Sequence, residues 1–332
     1  MATVVIIGGG VAGASAARSL SKKLHPKQRV ILIEKEETVI NPAIFPLYAV
    51  GKRNRGHLLR SRSRLTRRGV ELITGEVQKI DTAKKRVYIH EGEISYDLLL
   101  IAAGAVPDRS QPPGAADAAI DLQSLEEVGK LRALLPHFGG AEIAIIVPST
   151  RIKCPAAPYE YALLLENWFQ QRGRSRDISI TIYTPEEAPL SLFGERVSEA
   201  VSGLLLRRRI RVHPAARITK IDGAEKNAVL DGDRFPFDLL LFYAPVIAPP
   251  FIEKSGLGDE EGWVRTDPGT MALPEEDSIF AVGDITRIET PSGAPLPKLG
   301  AIAHLQSFVA AGNIARLIRG RRPGRTYSGF TG

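Results

Sequence analysis

Two segments of this chain carry residue types whose spacing could do chemistry. Near the N-terminus, Gly8, Gly10 and Gly13 follow the apolar run Thr3 to Ile7 and precede a helix-like stretch from Ala14 to Leu20. Glycines at this spacing allow a tight turn and close approach of backbone amides to a pyrophosphate, whose charge then meets a helix N-terminus. A second strand, Arg29 to Ile33, ends in Glu34, a carboxylate placed to accept hydrogen bonds from a ribose. Later in the chain, Ile143 to Val147 is an equally apolar run. It leads instead into Pro148-Ser149-Thr150-Arg151-Ile152-Lys153-Cys154-Pro155-Ala156-Ala157-Pro158-Tyr159-Glu160, built around the only cysteine.

In this second segment Arg151, Ile152 and Lys153 put bulk where a dinucleotide backbone would need glycine. The strand that follows ends in Tyr183-Thr184-Pro185, with no acidic residue at its tip to hold a ribose diol. Binding of a nicotinamide dinucleotide there is disfavoured twice. Cys154, by contrast, stands beside two cations and ahead of a helix predicted to begin near Pro158, and both features stabilise a thiolate. Such a thiolate is a nucleophile or a carrier of sulfur, and Glu160, within two helical turns, is the nearby proton acceptor. A small buried cysteine without reactivity is the alternative, since free cysteines often pack as apolar residues.

The elements that position these residues read as α/β, with two Rossmann-like dinucleotide-binding domains, the second inserted in the first. Residues 1–112 and 237–300 are expected to form the first domain. It would contain the strand Asp97 to Ile101 closing in Ala102-Ala103-Gly104, with Phe237 to Tyr243 marking the return of the chain. Residues 113–236 form the second, and 301–332 a short C-terminal helical segment. The two halves look like versions of one unit. At 332 residues and 44% hydrophobic the chain can support two packed domains.

Neither a signal peptide nor an apolar stretch of about 18 residues is visible, and one cysteine fits a reducing compartment. A cytoplasmic enzyme, at most at the inner face of a membrane, is expected. The net charge of +7 gathers at Lys52 to Arg68, Arg207 to Arg211 and Arg319 to Arg325. These clusters read either as solvated helix faces or as attraction to anionic lipid or an acidic partner. No nucleic-acid motif accompanies them. The six histidines lack metal-ligand spacing, and one cysteine cannot make a structural zinc site.

The order of Gly8-x-Gly10-x-x-Gly13, Ala102-Ala103-Gly104 and Ile279-Phe280-Ala281-Val282-Gly283-Asp284 resembles the flavoproteins with two dinucleotide-binding domains. Within them, Lys153 to Glu160, Pro297-Lys298-Leu299-Gly300-Ala301 and Asn41-Pro42-Ala43-Ile44-Phe45-Pro46 resemble the sulfide:quinone oxidoreductases and the flavoprotein subunit of flavocytochrome c sulfide dehydrogenase. The resemblance implies FAD in the first domain, with Asp284 on a ribityl hydroxyl and the amides near it on phosphate. It implies contacts from Gly8, Gly10, Val11, Ala12, Gly13, Glu34, Lys35, Pro46, Val77, Ala103, Gly104, Gly283, Lys298, Gly300 and Ala301. Cys154, Glu160 and Lys298 are the catalytic candidates it implies. Lys298 reads either as a flavin or acceptor contact or as a solvent-facing lysine, and His304 as a proton carrier or a helix-face residue satisfied by its neighbours.

Electrons would pass from sulfide or another small sulfur compound to a quinone or a redox protein, with peripheral membrane contact. The family generally uses two or three cysteines. Here Ala119 to Val128 has none, and Thr326 to Gly332 looks like the approach to a last cysteine that the chain does not reach. A relay of paired cysteines is therefore not expected in this chain. An NAD(P)H:acceptor flavin reductase, or a non-catalytic FAD-binding sensor, are the alternative readings, and a homo-oligomer is compatible with all of them.

Overall fold

The computed structural model describes residues 1–274, 276–290 and 293–329, so Phe330, Thr331 and Gly332 of the last-cysteine resemblance lie outside the described residues. The chain divides into two units. The first comprises Met1–Val39, Arg60–Val106 and Ile247–Gly332, and the second Ile40–Leu59 and Pro107–Val246.

The first unit is built on a six-stranded sheet. Its order is Ala272–Leu273, Glu276–Ala281, Leu98–Ile101, Thr3–Ile7, Arg29–Glu34, Val70–Thr74, and only the Ala272–Leu273 edge runs antiparallel. Both faces of this sheet are covered, which explains why its strands are continuously apolar rather than alternating. Val4, Ile6, Leu98 and Leu100 pack on one side with residues of the helices Val11–Lys23 and Gly300–Ile318. Val5, Ile7, Leu99 and Ile101 pack on the other, with a small antiparallel sheet of Val77–Asp81, Arg86–Ile89 and Gly92–Ser95.

The second unit repeats the plan. Its parallel sheet runs Ile120–Asp121, Leu239–Phe242, Glu142–Ile146, Ser179–Tyr183, Arg211–His213. One face carries residues of the helices Leu125–Leu134, Ala157–Gln170 and Glu195–Arg207. The other carries the antiparallel strands Ile218–Asp222, Asn227–Leu230 and Asp233–Pro236.

The expected boundaries need correction. Leu239–Phe242 does not return to the first unit; it pairs in parallel with Ile143–Ile146 and buries its side chains in the second unit's two cores. Its counterpart in the first unit is Leu98–Ile101, and Asp-Leu-Leu-Leu precedes or opens both. Asp97 accepts the Thr3 N–H at 2.7 Å, and Asp238 accepts those of Ala141 and Glu142 at 2.7 and 3.0 Å. Residues 40–59 join the second unit, and residues 301–329 join the first.

The basic C-terminal stretch is pinned to the first unit by one buried side chain. Asn313 donates to the carbonyls of Thr270 and Arg325 and accepts the N–H groups of Gly324 and Arg325, all at 2.8–3.0 Å. Removing a fully buried amide that makes four hydrogen bonds is costly. Asn313→Ala is expected to destabilise the chain by about 2–4 kcal/mol, and limited trypsinolysis should show faster cleavage after Arg321 and Arg325.

Candidate active site

The first unit assembles the glycine turn as its sequence requires. Gly8 adopts φ +96°, and a Cβ there would lie 2.4 Å from the Ala102 carbonyl oxygen. A Cβ on Gly13 would lie 1.8 Å from the Gly8 carbonyl oxygen. Both glycines therefore serve close packing of helix on strand, whereas nothing stands within 4 Å of a Cβ built on Gly10. Gly10 caps Val11–Lys23 without a side-chain bond, and the first intrahelical bond runs from Ala14 N–H to Gly10 C=O. The amides of Val11, Ala12 and Gly13 precede that bond, so the helix start offers donors to an anion.

A second helix start lies beside it. Gly300–Ile318 begins without a side-chain cap, and a Cβ on Gly300 would stand 3.9 Å from Val11 Cγ2. Neither helix has an acidic residue in its first turn, and Gly10, Val11, Gly300 and Ala301 are all solvent-exposed. Two positive helix ends without internal counter-charge suit a diphosphate. The turn Gly283–Ile285 joins the group, because a Cβ on Gly283 would meet Ala303 at 3.2 Å and Ala12 at 3.5 Å. Its Gly283 N–H is bonded to the buried Gln306 side chain at 2.7 Å. Gly283, Asp284, Lys298, Ala303 and Gln306 line a small open pocket in this unit.

Lys298 is committed to that turn. Its ammonium donates to the carbonyls of Asp284 at 2.6 Å and Thr286 at 3.4 Å, and it lies 3.6 Å from the ring centroid of the buried Trp263. These contacts give it a positioning role, and neither Trp263 nor Gln306 stood out in the sequence. Glu34 accepts the Gly9 N–H at 2.6 Å and the Glu36 N–H at 3.2 Å, which holds its carboxylate against the loop. Lys35 is exposed beside it, Val77 is buried at the start of its hairpin strand, and Ala103-Gly104 follows Leu98–Ile101, with Gly104 at φ +68°. His304 is bonded to Ser15 Oγ at 2.8 Å, which satisfies it on the helix face. These residues fit a dinucleotide: an open Gly10, two uncapped helix ends and a carboxylate beyond them.

Cys154, Glu160 and Pro46 belong to the second unit. Pro46 is buried in the short helix Phe45–Ala49. Three residues, Gly8 to Gly10, join strand to helix in the first unit, whereas ten, 147–156, do so here. Ile152 is buried within that segment, while Cys154 is half-buried with φ +46° and accepts the Ala157 N–H on its carbonyl at 2.8 Å. The thiol thus stands immediately ahead of Ala157–Gln170. Glu160 occupies the first turn of that helix, and desolvation by the surrounding protein raises its carboxyl above the ordinary carboxylate range although its edge stays exposed. A raised carboxyl is the better proton acceptor.

Sequence reasoning passed over Glu186, just beyond the tip of Ser179–Tyr183. Its carboxylate is taken by the buried Tyr159 hydroxyl at 2.5 Å and the Thr184 hydroxyl at 3.4 Å. The carboxylate nearest that strand end is thereby occupied from within. The basic cluster at Arg207 to Arg211 is likewise partly committed: Arg208 pairs with Glu166 at 3.0 Å, and Arg211 with Glu142 at 3.1 Å.

Residues 2–307 match the pyridine nucleotide-disulphide oxidoreductase family. The chain belongs to this family. It is an oxidoreductase with the two-unit α/β fold of that family and a flavin cofactor. It is 25% identical to the mitochondrial sulfide:quinone oxidoreductase of Mus musculus, over 99% of this chain and 74% of the relative. The mitochondrial sulfide:quinone oxidoreductase of Schizosaccharomyces pombe is also 25% identical, over 99% of this chain and 76% of the relative. The crystal structure of the sulfide:quinone oxidoreductase from Aquifex aeolicus shares the fold, with a TM-score of 0.86, 23% identity, and coverage of 96% of this chain and 78% of that one. Among the described residues no helix is long and apolar enough to cross a membrane.

Two substitutions separate packing from ligand contact. Gly13→Ala is expected to destabilise the apoprotein by at least about 1–3 kcal/mol, through overpacking against Gly8. Gly10→Ala, at φ −69° with open space around it, should lower the apoprotein melting temperature far less than Gly13→Ala does, since it costs only helix capping, yet reduce the flavin retained through purification.

The Tyr159 pair gives a pH-dependent expectation. Burial raises the Glu186 carboxyl, while the Tyr159 hydroxyl acts against that by favouring the carboxylate. A raised carboxyl contributes stability below its unfolded pKa of about 4.5, and that contribution is lost as pH rises through the folded value. Tyr159→Phe moves the folded value further up. The variant should therefore be less stable than the parent by about 1–3 kcal/mol at pH 8 and by less at pH 4, read from urea unfolding at the two pH values.

Proposed function

We propose that the chain is an FAD-dependent oxidoreductase of the sulfide:quinone type, taking electrons from sulfide or a related small sulfur compound and delivering them to a quinone. The observation that carries this reading is the pairing of an intact glycine turn in the first unit with a turn in the second rebuilt around Cys154. Relatives named sulfide:quinone oxidoreductase, matched over nearly the whole chain, support it.

The amides at Val11–Gly13 and Gly300–Ala301 would meet the FAD diphosphate, Glu34 the adenosine ribose and Asp284 the ribityl chain. Lys298 and Gln306 hold the Gly283-Asp284 turn in shape for that contact. When bound, FAD supplies a two-electron acceptor. Cys154 is the sulfur carrier: its thiolate and sulfide would join through a new S–S bond to give a persulfide, the two electrons released would leave to the flavin, and Glu160 would take the proton freed from sulfide. The sulfur carried on Cys154 would then pass to a thiol or another sulfur acceptor. Quinone as acceptor brings the protein to a membrane surface, and the exposed arginines of the C-terminal stretch suit anionic lipid.

Anaerobic stopped-flow absorbance tests the reading. Sulfide should bleach the bound flavin rapidly, NADH should not, and Cys154→Ala should slow the sulfide reaction by at least about 100-fold, as loss of a covalent nucleophile does. Fast bleaching by NADH alone would point to a pyridine-nucleotide reductase instead.

A further inference from the structure

We propose that Arg62 closes over the adenosine end of the bound dinucleotide and sets the affinity of the first unit for FAD; this rests on the FAD reading above. Arg62 is buried, with a side chain only 8% exposed. It lies just ahead of the short helix Ser63–Thr66, in the segment leading to the edge strand Val70–Thr74. One terminal nitrogen donates to the Glu36 carbonyl, and the other stands 3.7 Å from Glu34 Oε2. Its Nε is buried with no hydrogen-bond partner.

A buried guanidinium N–H without an acceptor is costly and uncommon, so its position identifies what would satisfy it. Nε lies against the glycine turn: a Cβ on Gly9 would stand 2.9 Å from it. Arg62 therefore faces the side of the turn where Glu34 is held by the Gly9 and Glu36 amides, apart from the paired helix starts at Val11 and Gly300. A ligand reaching that side must offer acceptor atoms to Arg62 while offering donors to Glu34. A ribose diol with an attached purine does both, since its hydroxyls donate and accept, its ring nitrogens accept, and its flat face suits a guanidinium. Arg62 also accounts for Gly9, whose N–H serves Glu34 and whose missing side chain leaves room for the guanidinium.

The test uses the full chain stripped of flavin, titrated with FAD by quenching of flavin fluorescence, with ADP as competitor. Arg62→Met removes the donors at similar length, and Arg62→Lys keeps the charge without the planar fork. Arg62→Met is expected to raise the FAD dissociation constant about 10- to 100-fold and to weaken ADP by the same factor, because both ligands share the adenosine. Arg62→Lys should fall between, with apoprotein melting close to the parent. FAD affinity within about twofold of the parent, or weakened FAD binding with unchanged ADP competition, would overturn the proposal. Should Arg62→Met fail to fold, the same comparison on Arg62→Lys and Arg62→Gln decides it. Failure of the unsubstituted chain to take up FAD would overturn the FAD reading, and this proposal with it.

Discussion

The approach of Gly13 to the Gly8 carbonyl is the constraint on which the first unit depends. With no room for a side chain at either position, the helix Val11–Lys23 is seated directly on the strand Thr3–Ile7 and its neighbour Leu98–Ile101. That seating leaves the first-turn amides without intrahelical acceptors, beside the equally uncapped start of Gly300–Ile318. Hydrogen bonds from Gly9 to Glu34 and from Gln306 to Gly283 then fix the two flanks of the cradle. The anion-binding character is a property of backbone, and the side chains around it are small so as not to cover it.

The second unit shows what happens when the same plan loses that constraint. Its parallel sheet, three-stranded antiparallel partner and aspartate anchor repeat those of the first. Its strand-to-helix connection is longer, places Ile152 inside and Cys154 ahead of the helix, and has no glycine against which a phosphate could lie. The Tyr159–Glu186 bond then occupies the carboxylate nearest the strand tip. One unit keeps a nucleotide cradle while the other presents a thiol, a division of labour consistent with electrons entering from sulfur rather than from a nicotinamide.

Legibility in the sequence followed the range of the interactions. Gly8, Gly10, Gly13 and Glu34 were readable because a local turn imposes their spacing, and Cys154 because it interrupts that spacing. The domain boundary near Phe237 is not legible locally, because Leu239–Phe242 is equally apolar whichever sheet receives it; only its register with Ile143–Ile146 decides. The repeated Asp-Leu-Leu-Leu was the available signal. Arg62, Trp263, Gln306, Asn313 and Glu186 were not legible, since each acts through a partner distant in sequence or through burial that no local pattern encodes. Arg62 in particular was hidden within a basic stretch that reads as surface.

The central claim is that Cys154 itself carries the sulfur. Its most direct test is peptide-resolved mass spectrometry of the flavin-loaded protein, quenched after a single anaerobic exposure to sulfide with a thiol-blocking reagent. The peptide containing Cys154 should gain the mass of one sulfur atom in step with flavin reduction. Flavin reduced by sulfide at full rate while Cys154 stays unmodified would contradict it.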